Sequence, residues 1–249
     1  MKEAHNSSIS IYNGDCFDIL SKLYNDAGVI ADVVISDLPY AITSNKWDKD
    51  FDLENMWKWL DICTEQYSAK IFTASQPFTS KLVMSNLKEF KHEWIWVKNR
   101  GSNFANTVRE PMKEHESVIV FSKGKWTYNK QMQQRAESGL SRAKYNVKFE
   151  TSSENYREFE TRNTNKISEL RVPSSVQKFN VEVGLHPTQK PVALMEYLVK
   201  TYTNEGDIVL DITMGSGTTG AACKNLGRGF IGIEKDEKYF NIAKERLGL

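Results

Sequence analysis

Short apolar runs alternate with longer amphipathic segments along most of the 249-residue chain, and this alternation restricts the fold more than any other feature. Residues 32–36 and 69–73 have the composition of buried strands, whereas residues 52–66 place their apolar side chains on one face of a helix. The alternation returns near the C-terminus, where residues 207–211 and 229–234 are predicted strands. This pattern predicts a doubly wound α/β fold, in which helices cover both faces of a mainly parallel sheet.

The stretch from residue 125 to residue 180 interrupts this alternation. It has few continuous apolar runs, and it holds eleven lysines and arginines against six acids, a net +5 in a chain of net +1. We therefore divide the chain into residues 1–124, an insertion over residues 125–180, and residues 181–249. From charge alone, the insertion fits a solvated, loop-rich segment as well as a surface that binds a polyanion.

Composition narrows the class of protein further. The chain is 40% hydrophobic, yet no apolar run reaches the ~20 residues of a membrane helix, and the polar start lacks a secretory signal. The cysteines Cys16, Cys63 and Cys223 are far apart and form no C-x-x-C pair, which predicts reduced thiols in an intracellular, cytoplasmic protein. No Cys/His spacing indicates a metal site.

A glycine-rich turn follows the predicted strand at residues 207–211. Gly215, Gly217 and Gly220 satisfy the G-x-G-x-x-G pattern, which leaves a nicotinamide-dependent oxidoreductase as one hypothesis. Asp211 ends the strand before this turn, and Glu234 ends the next strand, where a carboxylate can accept both ribose hydroxyls. A carboxylate at the first position suits an ammonium group better than a pyrophosphate. The pattern therefore favours a nucleoside that carries an amino acid.

Two further motifs have a composition suited to chemistry. The tetrapeptide Asp37-Leu38-Pro39-Tyr40 follows a predicted strand. It is either a simple proline turn, or a carboxylate and a backbone carbonyl aimed at one small polar group beside a stacking ring. The element His-Pro-Thr-Gln-Lys-Pro at 186–191 precedes a predicted helix, and its two prolines make a rigid polar entry.

Together these motifs resemble those of the DNA methyltransferases that methylate exocyclic amino groups with S-adenosylmethionine. The family tetrapeptide is [DNS]-P-P-[YFW], and Leu38 is the departure from it. The family glycine motif D-P-F-x-G-S-G-T-T resembles residues 211–219, with Ile212 and Thr213 replacing proline and phenylalanine. The element at 186–191 is intact, and the motif order resembles the β group, whose Rossmann-like methyltransferase sheet is circularly permuted.

The resemblance implies a role for individual residues. Asp15 would lie near the cofactor adenine, Glu234 would bind the ribose, and the turn after Asp211 would face the methionine part. Thr188 and Lys190 would line that same end of the pocket. The catalytic residues it implies are Asp37, Leu38, Pro39 and Tyr40. The cofactor-binding residues it implies are Asp15, Thr188, Lys190, Asp211, Thr213, Gly215, Ser216, Gly217, Thr218 and Glu234.

The function implied by the resemblance is methyl transfer to N6 of a flipped adenine in double-stranded DNA, as in restriction-modification systems. In the family, aspartate at the first tetrapeptide position favours adenine, so cytosine N4 is the alternative product. A DNA-binding protein without activity is a third hypothesis, and a homodimer stays open. The insertion at 125–180 would contact DNA and recognise its sequence. Residues 109–121 also resemble the family, without a chemical role that the sequence assigns.

Overall fold

The computed structural model describes residues 2–40, 50–144 and 169–249, with the backbone alone for residues 141–144. The chain divides into two compact units, one formed by Met1–Asn129 with Ser175–Leu249 and the other by Lys130–Ser174. A search of the described helices finds none with the length and apolar character that crossing a membrane requires.

The larger unit contains nine of the described strands and six of the helices. Its strands are β1 (Lys2–His5), β2 (Ile9–Asn13), β3 (Val33–Asp37), β4 (Lys70–Ala74), β5 (Phe90–Ser102), β6 (Lys113–Phe121), β9 (Val176–Lys178), β10 (Ile208–Asp211) and β11 (Gly229–Glu234). Its helices are α1 (Cys16–Ala27), α2 (Leu53–Cys63), α3 (Phe78–Ser85), α5 (Val192–Tyr202), α6 (Thr218–Leu226) and α7 (Glu237–Leu247).

The smaller unit contains β7 (Gln133–Gln134), α4 (Glu137–Lys144) and β8 (Leu170–Arg171). Its two short strands pair antiparallel, with Gln133 opposite Arg171. Residues 145–168, which make up much of the basic insertion, lie outside the described residues.

The strands of the larger unit form one sheet in the order β1-β2-β11-β10-β3-β4-β6-β5-β9. The central run from β2 to β4 is parallel throughout, whereas β1 and β6 run antiparallel to their neighbours. Strands β10 and β11 come last in the chain, yet they lie between β2 and β3. This insertion of the last two strands into the middle of the sheet confirms the predicted circular permutation.

The chain changes direction between β10 and β3. From β10 it passes through α6 to β11 on one side, and from β3 it passes through α2 to β4 on the other side. The connections therefore separate above the carboxyl ends of these two strands. In doubly wound folds such a divergence leaves a crevice, which is where ligands bind.

Helices cover both faces of the sheet because the strands alternate their apolar side chains. Val33 and Ile35 face the core that α5, α6 and α7 close, whereas Val34 faces the core under α1, α2 and α3. Helix α1 starts where the Asp15 side chain accepts the N–H of Phe17. This N-cap places Asp15 at the same carboxyl edge of the sheet as the crevice.

Two elements differ from the sequence prediction in length. The sequence predicts strands over 93–97 and 117–121, but β5 and β6 continue as a two-stranded ribbon past the end of β4, where Ala74 pairs with Ser117. The added residues are mostly polar and lack the apolar alternation that indicates a half-buried strand. Strands β1 and β9 went unpredicted for the same reason, since both are short and largely exposed.

Gly220 is the third glycine of the G-x-G-x-x-G pattern, and its place in α6 yields a test of the packing. A Cβ at this position would lie 2.8 Å from Cε1 of the buried Phe230. Alanine favours a helix by about 0.5–1 kcal/mol over glycine, but overpacking costs about 1–3 kcal/mol. We expect Gly220→Ala to lower the free energy of unfolding by about 1 kcal/mol in urea denaturation.

Gly139→Ala is the matched control, because Gly139 lies in helix α4 and an added Cβ meets its nearest neighbour at 3.6 Å. This control should be neutral or stabilising. A Gly220→Ala protein as stable as the parent would contradict the close contact between α6 and β11.

Candidate active site

A cavity of about 650 Å³ opens above the carboxyl ends of β3, β10 and β11. Its volume is in the range of pockets that hold a small molecule. The sequence-predicted site residues line this cavity, with the exception of Gly217. The pairing of β10 with β3 is what brings the tetrapeptide and the glycine turn to one place.

Asp37 is the last residue of β3, and three side chains hold its carboxylate. The Tyr40 hydroxyl donates to Oδ1 at 2.8 Å, and the Thr73 hydroxyl donates to the same oxygen. The Lys190 ammonium donates to Oδ2 at 2.6 Å. A carboxylate has roughly four acceptor positions, so these donors leave about one for a further partner.

The Tyr40 ring has support on one side from Phe78, with ring centroids 5.2 Å apart and planes tilted by 22°. Burial raises the pKa of the Tyr40 hydroxyl well above its ordinary value, and the neighbouring Asp37 charge raises it further. Tyr40 is therefore a neutral phenol that donates a hydrogen bond to Asp37. Residues 41–49, which follow it directly, lie outside the described residues.

Leu38 replaces the first proline of the family tetrapeptide, and its side chain is buried in the core under α1 and α2. The substitution therefore gains apolar packing at the strand end. The Thr213 hydroxyl donates to the backbone carbonyl of Asp37 at 3.0 Å, which ties the glycine turn to the end of β3. Thr213 thus has a structural contact where the family has a phenylalanine.

Asp211, at the end of β10, is almost fully buried. Its Oδ1 accepts the Ser36 hydroxyl at 2.9 Å and the N–H of Thr213 at 3.1 Å. Burial raises the pKa of Asp211 from 3.8 to about 7, although hydrogen bonds from Thr219 and Ser36 oppose the rise. A bound cation would favour the ionised form of this acid.

Glu234, at the end of β11, holds the glycine turn from the other side. Its two carboxylate oxygens accept the N–H groups of Gly215 at 2.9 Å and Asp236 at 2.7 Å. Burial raises the pKa of Glu234, and these backbone hydrogen bonds oppose the rise. The carboxylate also lines the cavity, where its remaining lone pairs can accept hydroxyl groups of a ligand.

Asp15 lies at the edge of the cavity beyond Glu234. Burial raises the pKa of its carboxyl, but hydrogen bonds from Lys235 and from the N–H of Phe17 outweigh burial and lower it. The Lys235 ammonium is 3.0 Å from its Oδ2. Asp15 is thus an ionised acceptor at the far end of the cavity from Asp37.

The glycine turn needs two residues with positive φ, at Gly215 (52°) and Gly217 (75°). Gly217 is the predicted site residue that does not line the cavity. It precedes α6, and an added Cβ would lie 3.0 Å from the Ala243 Cβ of α7. Gly217 therefore allows the turn and the packing of α7, while Gly215, Ser216 and Thr218 line the cavity.

Thr188 and Lys190 lie on the rigid segment before α5. The N–H of Thr188 donates to Nδ1 of His186 at 3.2 Å, and the His186 ring packs edge-on against Tyr239. Lys190 extends in the other direction, to Asp37 and to Glu116. Thr73 and Glu116 were not predicted from the sequence, because both reach the site through strand register rather than through a motif.

With this geometry in view, the chain belongs to the DNA methylase family of N6- and N4-methyltransferases, whose pattern it matches over residues 31–245. It is 29% identical over 247 residues to the type II methyltransferase M.HpaI of Haemophilus parainfluenzae, covering 93% of this chain and 73% of that protein. Family membership removes the oxidoreductase hypothesis and accounts for all three motifs.

Solved structures agree with the fold. The complex of M1.HpyAVI with S-adenosylmethionine has a TM-score of 0.67 and 30% identity, covering 97% of this chain and all of that one. The cytosine-N4-specific PvuII methyltransferase has a TM-score of 0.64 at 14% identity, covering 97% and 86% of the two chains. The second likeness shows the shared fold alone.

The raised pKa of Asp211 has a consequence for stability. The folded protein binds this proton more tightly than the unfolded chain does. Ionisation of Asp211 therefore lowers the free energy of unfolding, and this loss grows as the pH rises from about 4 to 7. Asp211→Asn keeps the shape and the acceptor for Ser36 without the charge. We expect it to raise the free energy of unfolding by on the order of 2 kcal/mol at pH 8, and by less at pH 4.5.

Urea denaturation of parent and variant at the two pH values measures this difference. An Asp211→Asn protein that is less stable than the parent at pH 8 would show that the buried carboxylate does not lower the free energy of unfolding.

Proposed function

We propose that this protein transfers the methyl group of S-adenosylmethionine to N6 of an adenine that has been flipped out of double-stranded DNA. The observation that carries the proposal is the placement of the Asp37 carboxylate beside a cavity whose other polar ends are Asp211 and Glu234. A hydrogen-bond acceptor for an amino group and two acids suited to an amino-acid nucleoside share one crevice.

Residues in different parts of the cavity fit different parts of the cofactor. Buried Asp211 would pair with the cofactor ammonium, which would relieve the cost of ionising this acid. Glu234 would accept the ribose hydroxyls, and Asp15 would lie near the adenine. Gly217, the N-cap of helix α6, has no side chain to cap it, so the first N–H groups of the helix would remain for the cofactor carboxylate.

S-adenosylmethionine supplies a methyl group on a sulfonium, which leaves readily as a thioether. The amino nitrogen of a paired base is shielded by stacking, so the base must leave the duplex, at a cost of a few kcal/mol. Stacking of the base on the Tyr40 ring would recover ~1–3 kcal/mol.

The protein must also localise the amino lone pair, which is delocalised into the base. Asp37 and the Leu38 carbonyl would accept the two amino hydrogens and so favour a tetrahedral nitrogen. That lone pair forms the new N–C bond as the C–S bond breaks with its electrons on sulfur, and the nitrogen then loses one proton to water. Catalysis here is a matter of positioning and electrostatics.

Adenine is favoured over cytosine because the tetrapeptide begins with aspartate, the residue that the family resemblance associates with adenine. Methylation of cytosine N4 needs the same acceptors and is the second candidate. A protein that binds cofactor and DNA without transferring a methyl group is the third.

Incubation with mixed-sequence duplex DNA and labelled S-adenosylmethionine, followed by nucleoside analysis, separates these candidates. We expect labelled N6-methyladenine, and we expect Asp37→Ala to lower the rate by about 10²–10³-fold through loss of the acceptor. Cofactor affinity, measured by calorimetry, should change little. N4-methylcytosine alone would support the second candidate, and binding without any labelled base would support the third.

The β5–β6 ribbon is the described surface best placed to meet DNA. Because β5 runs in the same direction as β4, its end rises from the catalytic edge of the sheet. Four residues of β6 continue past the end of β4, a distance of about 13 Å. The tip exposes 79% of Phe104 and 92% of Val108, and it includes the exposed Arg100 and Arg109.

We infer that this tip and the basic insertion contact the duplex that delivers the flipped base. Arginines hold phosphates and position a protein on DNA, while exposed apolar side chains can enter a groove or a base step. The part of the insertion at 145–168 lies outside the described residues, so the ribbon gives the sharper test.

Replacing both Arg100 and Arg109 with alanine should weaken binding to duplex DNA. Each lost phosphate contact should lower the slope of log K against log salt concentration by ~0.9. Lys88→Ala is the control, because this exposed lysine lies just before β5 at the opposite end of the sheet. Equal salt slopes for the parent and the double variant would exclude these arginines as phosphate contacts.

A further inference from the structure

Lys190 is a buried lysine whose contacts the sequence did not indicate. Its side chain is 6% exposed, and it sits just before α5, in a segment fixed by Pro187 and Pro191. Its ammonium lies 2.6 Å from Asp37 Oδ2 and 3.5 Å from Glu116 Oε2. A buried lysine of this kind remains charged only when carboxylates compensate for its lost hydration.

Glu116 contacts a second lysine in addition to Lys190. Its other oxygen, Oε1, accepts the ammonium of Lys98 at 2.5 Å, and both side chains are largely buried. Strand register explains this pair, because Glu116 on β6 lies opposite Trp96 on β5, two residues before Lys98. Glu116 also falls within residues 109–121, the stretch that resembles the family but had no assigned role.

The four side chains form one row of alternating charge, Lys98, Glu116, Lys190 and Asp37, contributed by β5, β6, the segment before α5, and β3. Burial raises the pKa of Glu116, but Lys190 and Lys98 outweigh burial and lower it. Burial lowers the pKa of Lys190, but Asp37 and Glu116 outweigh burial and raise it. Both inner members of the row are thus held in their charged forms.

The row ends on the oxygen of Asp37 that has an acceptor position left. Tyr40 and Thr73 donate to Oδ1, whereas Lys190 is the described donor to Oδ2. The Lys190 ammonium therefore occupies one lone pair of Oδ2 and leaves the other for a further donor. Glu116, which also pairs with Lys98, is the second carboxylate that the Lys190 ammonium contacts.

We propose that Lys98, Glu116 and Lys190 form a positioning array that fixes Oδ2 of Asp37 and leaves one of its lone pairs for the target amino group. This inference rests on the proposed function. It places Lys190 beside Asp37, the group that accepts the amino hydrogens. The family resemblance instead places Lys190 at the cofactor end of the pocket. None of the three residues needs to touch the cofactor or the base for the array to act.

Charged groups face Asp37 from several elements. Asp211 faces it from β10, His186 and Lys190 face it from the segment before α5, and Glu116 lies behind Lys190 on β6. Removal of Lys190 leaves Tyr40 and Thr73 as the described side-chain donors to Asp37, both on Oδ1. Oδ2 then loses the contact that fixes its position.

The chain offers a matched control in Lys70, at the start of β4. Lys70 is equally buried, at 3% exposure, and it also pairs with two carboxylates, Asp61 at 2.5 Å and Glu89 at 3.1 Å. It lies at the amino end of the sheet, opposite the cavity. A purely structural role for a buried lysine would appear in both Lys70→Met and Lys190→Met.

The test measures kcat and KM for duplex DNA at saturating cofactor, in the parent, Lys190→Met, Glu116→Gln and Lys70→Met. Calorimetric affinity for S-adenosylmethionine and the urea midpoint show that each variant is folded. We expect Lys190→Met to lower kcat by about 10²–10³-fold and to leave KM for DNA nearly unchanged. Cofactor affinity should change by less than about threefold.

The other variants separate charge from stability. Glu116→Gln keeps the cation beside Asp37, so kcat should fall by about tenfold or less. Lys70→Met should lower the urea midpoint and leave kcat nearly unchanged. An unchanged kcat in Lys190→Met, or the same loss of kcat in Lys70→Met, would overturn the array while the proposed function stands. A parent protein without methyl transfer would overturn both.

Discussion

The parallel pairing of β10 with β3 is the constraint on which the rest of the site depends. It joins segments that are 176 residues apart, through the Thr213 hydroxyl on the Asp37 carbonyl at one end and the Ile208 N–H on the Asp32 carboxylate at the other. The chain continues from β10 to β11 on one side and from β3 to β4 on the other, and in doubly wound folds such a divergence leaves a crevice. The crevice is thus a product of strand order.

The site that this pairing creates is rich in buried charge. Asp211 ionises at a cost, and Asp37 lies in a row in which every charge has an opposite neighbour. Buried ion pairs contribute little net stability, since desolvation offsets their attraction. These ion pairs instead fix the positions of carboxylate oxygens before a ligand binds. A cationic ligand at Asp211 would offset part of the free-energy cost of ionising this acid.

Much of this fold could be predicted from the sequence, for reasons that are local. Apolar runs of strand length give β3, β4 and β10, and the glycine turn and the tetrapeptide identify which strand ends matter. The circular permutation was implied by the resemblance of the motif order to the β group, and the strand order confirms it. Helix α5 also begins directly after Pro191, the second proline of the predicted rigid entry.

The remaining features depend on contacts between distant residues, which no local pattern encodes. Thr73 reaches Asp37 because β4 pairs with β3 in one register, and Glu116 reaches Lys190 because β6 extends beyond the sheet. Gly217 follows the motif, yet packing against α7 turns it away from the cavity. A sequence motif identified the residues of the site, but the structure was needed to assign their partners.

We propose that one crevice holds the cofactor and the target amino group together, with Asp37 as the acceptor. A crystal structure with S-adenosylhomocysteine and a duplex that carries the unmethylated target sequence tests this most directly. We expect one adenine outside the stack, its amino nitrogen about 3 Å from the Asp37 carboxylate and from the Leu38 carbonyl, with Glu234 on the ribose. A flipped base bound elsewhere, with Asp37 contacting protein groups alone, would contradict it.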